Sequence, residues 1–577
     1  MRVAFLLLVF LLAMNISQAE TNKTESPDTV FINGDMLTGF SSGIEKGSAW
    51  AKENPRAQAI AVRGDRIVAV GSNSEIQKLK GKSTQVVDLG GRFVMPGFND
   101  AHLHLAGGGF EKLNVDLVGV RSLQDMKNRI AARATNTPAG EWIQGRGWDH
   151  TVWADKKLPT RQDIDAVAGD HPAVFVRVDG HIAVANSAAL SAAGINRNTP
   201  DPLGGQIDRD AQGEPTGVLR ESAKDELLSK VPKPSPAQRR RAIELALQDA
   251  ASHGITSMQD NSDWEDFLVY EDLEREGKLT ARITEWLPFT APVAVLQQHR
   301  AHHDAKDPML HTGMLKGFMD GSLGSRTAAM LKPYSDDPQS SGLRQFKQSE
   351  LNEMAEKRVA ARFQMGFHAI GDRGVEMALD AFSDAEGDAR ENNIRGLTQD
   401  TEKREFRFRI EHAQVAAPDQ FARFRELNVI ASMQPNHLLT DMNWAMDRIG
   451  PERAKHAYAW KAFLDNGVAL AFGTDYPVEP ITPFRGLYAA VTRKNETAKK
   501  EFFPEDKISI QQAIAAYTSG AAYAEFAESE KGMLAPGMLA DFVVLDRDIT
   551  KVAPREILGT KVLRTVVGGK TVYQGGN

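Results

Sequence analysis

The sequence predicts an α/β protein centred on a (β/α)8 TIM-like barrel, with a small β-sandwich domain formed by both chain ends and a large insertion after strand 1. Three observations lead there. Eight short apolar runs, most of them ending in a polar residue, punctuate the stretch from Phe93 to Asp475. Helical patterns separate these runs, which is how a parallel sheet with crossover helices reads. Each chain end carries β-branched runs too few to bury a core alone, so the two ends are expected to share one small domain.

Composition agrees with this outline. The chain has 577 residues, 42% apolar and 25% charged, ordinary for a globular protein and unlike a disordered one. Its net charge of −7 gives no footprint for nucleic acid. Cysteine is absent, which excludes disulfides, thiolate zinc sites, iron–sulfur clusters and cysteine nucleophiles. Any metal must then be held by nitrogen and oxygen, and the chain has fourteen histidines.

Taken in order, residues 1–19 read as a signal peptide. Arg2 supplies the positive start, Ala4 to Met14 is an apolar run, and Ser17-Gln18-Ala19 offers small residues for cleavage. That run is too short to cross a bilayer core of ~30 Å. Nothing else approaches a membrane-spanning length, so no membrane association is expected after cleavage. Export without cysteine points to a periplasmic or secreted, bacterial protein.

The composite β domain is assigned to 29–92 and 533–577. It takes Thr29 to Ile32, Ala59 to Val62, a Gly64-Asp65 turn and Ile67 to Val70 from one end. From the other it takes Phe542 to Leu545, Val562 to Val567, a Gly568-Gly569 turn and Thr571 to Tyr573.

The barrel is assigned to 93–532, with the insertion at 110–235. Its expected strands are Phe93 to His104, Ile255 to Met258, Ile283 to Trp286, Met314 to Met319, Phe363 to His368, Phe406 to His412, Val429 to Met433 and Val468 to Asp475. One helix is legible in detail. Ser235 caps it, Pro236 fills its first position and Gln238 completes a capping box; Ile243, Leu247 and Ala250 share a face, and Gly254 ends it.

The strongest local signal is Pro96-Gly97-Phe98-Asn99-Asp100-Ala101-His102-Leu103-His104. Residues i and i+2 of a strand point to one side, so His102 and His104 project together at the strand end and can grip one metal ion. A His-x-His pair is also frequent by chance. It gains weight because Lys316, His368, His412 and Asp475 each end, or nearly end, a separate expected strand. The alternative for His368 and His412 is a hydrogen-bonded core histidine; for Lys316 it is a lysine paired with Asp320 or pointing outside the barrel.

PGFNDAHLH, LKGFMDGSLGSRTA, FHAIGD, RIEHAQ and FGTDYP, in that order, resemble the metal-dependent amidohydrolase superfamily, and within it amidohydrolase family 3. GQIDRDAQGEPTGVL and GMLAPGMLADFVVLD extend the likeness over nearly the whole mature chain. The resemblance implies that His102 and His104 are the first-strand ligand pair. It makes Lys316 the fourth-strand lysine that in many members reacts with CO2 to give a carbamate bridging two metals. His368 and His412 correspond to the histidines of the second metal, and Asp475 to a metal ligand and general base.

Two weaker candidates remain. His181, in Asp179-Gly180-His181 with Asn186 beyond, resembles a recurring segment of the family and would polarise a substrate carbonyl or shape the pocket; its alternative is a turn cap. His437, in QPNH, is placed after the seventh strand and facing the site. The pair His302-His303 reads as surface, and Trp148, Trp153 and Trp444 either line an apolar pocket or fill local cores.

The reading that follows is a hydrolase of a non-peptide, amide-type C–N bond in a small molecule. It uses one or two divalent metal ions, zinc by default, with Asp475 as base. A heterocycle deaminase on the same fold is the alternative. Such deaminases typically carry a glutamate three residues after the fifth-strand histidine, where this chain has Gly371. A metal-free binding protein on this fold would be expected to have lost a ligand, yet all six positions are intact. The sequence carries no signal of oligomeric state.

Overall fold

The structure of the chain, a computed structural model, describes residues 26–40, 55–150, 153–177, 180, 182–202, 205–397 and 405–576. The signal-peptide reading of 1–19, and His181 with Asp179, lie outside the described residues.

The central sheet has eight parallel strands: β1 (Phe98–Leu103), β2 (Ile255–Asp260), β3 (Arg282–Pro288), β4 (Leu310–Phe318), β5 (Met365–Ala369), β6 (Arg409–His412), β7 (Ile430–Met433) and β8 (Leu470–Phe472). Each pairs with the next in chain order. The ends meet through backbone bonds from Asp475 N to His102 O (2.7 Å) and from His104 N to Tyr476 O (2.7 Å). Asp100 adds a side-chain staple across the same seam, accepting from Thr474 N at 2.9 Å and Thr474 Oγ1 at 2.6 Å. The predicted (β/α)8 barrel is what the chain forms.

The helix read from the sequence forms at Pro236–Ser252. Ser235 Oγ accepts from Gln238 N, the Gln238 side chain accepts from Ser235 N, and Ile243, Leu247 and Ala250 are buried against the barrel. Ser235→Ala removes one half of this reciprocal cap, and a loss of about 1 kcal/mol in urea unfolding is expected.

Two further sheets flank the barrel. One runs Arg66–Gly71, Ala59–Arg63, Thr29–Ile32, Gln85–Asp88; the other runs Lys570–Gln574, Val562–Val567, Phe542–Leu545, Phe93–Pro96, Asp35–Leu37, Arg56–Ala57. They share a buried core in which Phe31 and Phe542 meet edge to face at 4.9 Å. Arg282, at the start of β3, anchors this unit to the barrel with a bidentate pair to Asp541 (2.6 and 3.0 Å).

The expected strand Phe93 to His104 is in fact two. Phe93–Pro96 pairs antiparallel with Phe542–Leu545, and only Phe98–Leu103 enters the barrel. Gly97 makes the switch possible: a Cβ there would lie 2.2 Å from the Thr256 side chain, so any other residue would force β1 and β2 apart. The last strand also ends early, at Phe472, leaving Asp475 in the turn beyond it.

Residues 115–221 of the insertion form their own six-stranded sheet, in the order Gly205–Arg209, Pro215–Glu221, Ile182–Ala185, Ala173–Arg177, Ile143–Trp148, Val115–Asp116. Trp148 and Trp153 are fully buried in its core, their indole N–H groups donated to Phe175 O (2.9 Å) and Val120 O (3.1 Å). They are core residues, not pocket walls. Trp444 packs against the main barrel core. Asn186 accepts from Ala189 N at 3.0 Å as the cap of helix Ser187–Ala192, a structural task.

Candidate metal centre

The C-terminal ends of β1, β4, β5, β6 and β8 deliver titratable side chains to one place, the end of such a barrel where chemistry is done. His102 and His104 leave β1 on the same side, their ring centroids 5.6 Å apart. His104 is the last residue before helix Leu105–Leu113, and its Nδ1 lies 2.9 Å from Asn261 O. A carbonyl only accepts, so Nδ1 carries the proton and Nε2 is left as a lone-pair donor.

Asp475 is the hub. Its Oδ1 lies 3.3 Å from His104 Nε2 and 3.6 Å from His102 Nε2, while Oδ2 lies 3.1 Å from His437 Nε2 and 4.0 Å from His412 Nδ1. Burial alone would raise its pKa, but the imidazoles of His102, His104, His437 and His412 outweigh that and hold it well below the usual carboxylate range. Asp475 and His412 both have left-handed backbones, φ 58° and 72°. Non-glycine residues adopt that conformation at a cost and chiefly where surroundings impose it. Gly473 lets the seam close here, because a Cβ would sit 2.5 Å from His102 N.

Lys316 on β4 points into the cluster, Nζ 3.2 Å from His102 Nε2, and is almost fully buried. Its ammonium is desolvated between the Trp286 and Phe318 rings, 5.1 and 5.2 Å away, and burial brings its pKa down to about 8. The alternative pairing with Asp320 does not form. Asp320 instead accepts the backbone N–H groups of Ala329, Ile370 and Gly371 at 2.8–3.0 Å.

His368 and His412 stand with ring centroids 4.5 Å apart. His368 Nε2 is 3.1 Å from Gly321 O, so that nitrogen is spent on a carbonyl. Burial pushes His102 down to about 4, His368 to about 3 and His412 well below its ordinary value, so all three rings are neutral at physiological pH. Neutral imidazole is the form that binds metal.

Among the described residues, two groups at this site bring ligand atoms within 4.8 Å of one another: His102, His104 and Asp475; and His412, His437 and Asp475. The donor set is nitrogen and oxygen only, suited to a divalent cation such as zinc. His437 thus shares the second oxygen of Asp475 with His412, although the His368 ring lies nearer to His412 (4.5 Å against 6.0 Å between centroids). A cavity of about 10 Å³, lined by His412, Gln434, His437, Tyr458 and Trp460 among others, opens beside this second group. That is close to the space of one water.

Several groups went unassigned in the sequence reading. Glu411, fully buried beside His412, lies 2.9 Å from His102 Nδ1 and accepts from Arg409 Nε at 2.8 Å. Burial opposes its ionisation, but Arg409 and His102 win and hold it at about 2. Arg409 also donates to Ala101 O (2.8 Å), Ser432 Oγ (2.9 Å) and Gln259, tying β1, β2, β6 and β7 together beneath the cluster. The signal was present, since Glu411 stands inside RIEHAQ, but its inward direction depends on the strand's register. His302 and His303 lie apart from this site and both contact Glu271.

A family model described as the amidohydrolase family matches residues 85–573. The chain belongs to amidohydrolase family 3. This amidohydrolase is 34% identical over 561 residues to protein LONG AFTER FAR-RED 3 of Arabidopsis thaliana, covering 95% of this chain and 91% of that one. It is 28% identical to the N-substituted formamide deformylase of Arthrobacter pascens, covering 90% and 96%. Among solved structures it is similar to an uncharacterized metal-dependent hydrolase from Pyrococcus furiosus, with a TM-score of 0.73, 31% identity, and coverage of 91% and 100%. The amidohydrolase is thus an enzyme, a metal-dependent C–N hydrolase in general class. No helix among its described residues is long and apolar enough to cross a membrane.

Proposed function

We propose that this amidohydrolase cleaves the C–N bond of a small, non-peptide, amide-type substrate with a zinc centre of one or two ions held by His102, His104, Lys316, His368, His412 and Asp475. The observation that carries the reading is the convergence of four imidazoles on the two oxygens of one buried carboxylate, Asp475. When bound, the metal supplies Lewis acidity that polarises a carbonyl and lowers the pKa of a water.

The chain's own residues do the rest. Asp475, ionised at neutral pH, accepts the proton of the attacking water and returns it to the departing nitrogen, which cannot leave as an anion. His437 Nε2 donates to Oδ2 and fixes which lone pair faces the reaction. Lys316, with its pKa lowered by burial, is freed as an amine able to add to CO2; the product is a carbamate anion and a released proton, and its two oxygens replace a cation as ligands. His181 is assigned to polarising the substrate carbonyl or shaping the pocket. The enzyme acts in the periplasm or outside the cell once residues 1–19 are removed. The amide class is favoured by the likeness to the formamide deformylase.

Glu411, its Oε2 2.9 Å from His102 Nδ1, is the outer support of His102 and orients Nε2 toward the centre. Glu411→Gln keeps the volume and loses the charge, and a 10- to 100-fold weaker zinc affinity, read by competition with a chromophoric chelator, is expected at about the level found for such supports.

The substrate class is tested by a hydrolysis panel of N-acyl amino acids, formamides, cyclic imides and lactams with zinc-loaded enzyme. Release of amine and acid, lost on chelation and regained with zinc, is expected for at least one class. Ammonia release from a heterocycle with no amide cleavage would overturn the reading.

A further inference from the structure

We propose that the junction between the insertion and the barrel holds a second ligand site, for a small carboxylate with an apolar body. A cavity of about 600 Å³ lies there, within the usual range for small-molecule sites. No residue of the metal centre lines it. It borders the far end of helix Leu105–Leu113, and nine residues at 1.5 Å rise put that end ~13 Å from His104.

Its lining is sorted by chemistry. Phe110, Leu113 and Trp142 offer apolar surface, while Arg133, Lys233 and Arg241 bring three positive charges against one carboxylate, Glu141. Glu141 is already taken by Arg241 at 2.9 Å. Arg133 donates only to neutral acceptors, Lys112 O (2.6 Å) and Asn114 O (3.1 Å), and no carboxylate pairs with it or with Lys233 among the described residues. Its guanidinium is partly desolvated, and both burial and the neighbouring Arg241 charge push its pKa down. Arg133, Lys233 and Arg241 line one cavity with a single carboxylate among them, an excess of positive charge that an anion relieves, and a planar carboxylate matches the fork of a guanidinium. A bare inorganic anion would leave Phe110, Leu113 and Trp142 uncovered, which is why the ligand needs an apolar body.

Full-length protein soaked with 4-bromophenylacetate provides the test, since the anomalous bromine signal distinguishes this cavity from the metal centre. Bromine is expected in the cavity with its carboxylate on Arg133. In calorimetric titration the neutral 2-(4-bromophenyl)ethanol, which has no bond for the enzyme to hydrolyse, is expected to bind about 10- to 100-fold more weakly. Arg133→Gln should weaken the acid by a similar factor. Should that variant not fold, Lys233→Gln, on an exposed side chain, is expected to weaken it by a smaller but measurable factor. Bromine at the metal centre alone or nowhere, equal affinity for acid and alcohol, or unchanged affinity in both variants would overturn the proposal.

Discussion

Asp475→Asn is expected to lower kcat by roughly 10²- to 10⁴-fold, the range that a positioned general base contributes. The amide has nearly the size of the carboxylate, and its oxygen still accepts from His437 Nε2. It cannot take a proton. The bound metal should largely remain, because the histidines and Lys316 are untouched. Steady-state kinetics together with metal content on the same sample check this. A variant with parental kcat would remove Asp475 from the proton path.

Lys316→Ala is expected to cost roughly 10²- to 10³-fold in kcat/KM, the consequence of losing several kcal/mol of metal-dependent stabilisation. The space it vacates lies beside His102 and is walled by Trp286 and Phe318. Formate or propionate entering that space would restore two oxygens where the carbamate stood, so partial rescue by these acids at neutral pH is expected. Circular dichroism separates the kinetic effect from unfolding of the emptied site. Full activity without added acid would show that Lys316 bridges nothing.

The barrel was legible because each strand is an apolar run closed by a polar residue, and because helix Pro236–Ser252 writes its cap into Ser235 and Gln238. His102 and His104 were legible by the period of two. Other features required three dimensions. The split at Gly97 depends on Thr256, more than 150 residues away, so no local pattern announces it. Asp475 and His412 reach the centre through left-handed backbones, a conformation that propensity disfavours and only tertiary packing imposes. Glu411 and Arg409 read as ordinary charges until register turns them inward. His437 was placed near the site from QPNH, but its hold on Asp475 arises because β7 and β8 are neighbours.

Metal analysis by inductively coupled plasma mass spectrometry on the purified mature chain tests the central claim most directly. One to two zinc or other divalent ions per chain are expected, falling sharply when His102 and His104 are both replaced by alanine. A chain that retains no divalent metal after loading, while remaining folded, would contradict the assignment of this cluster as a metal centre.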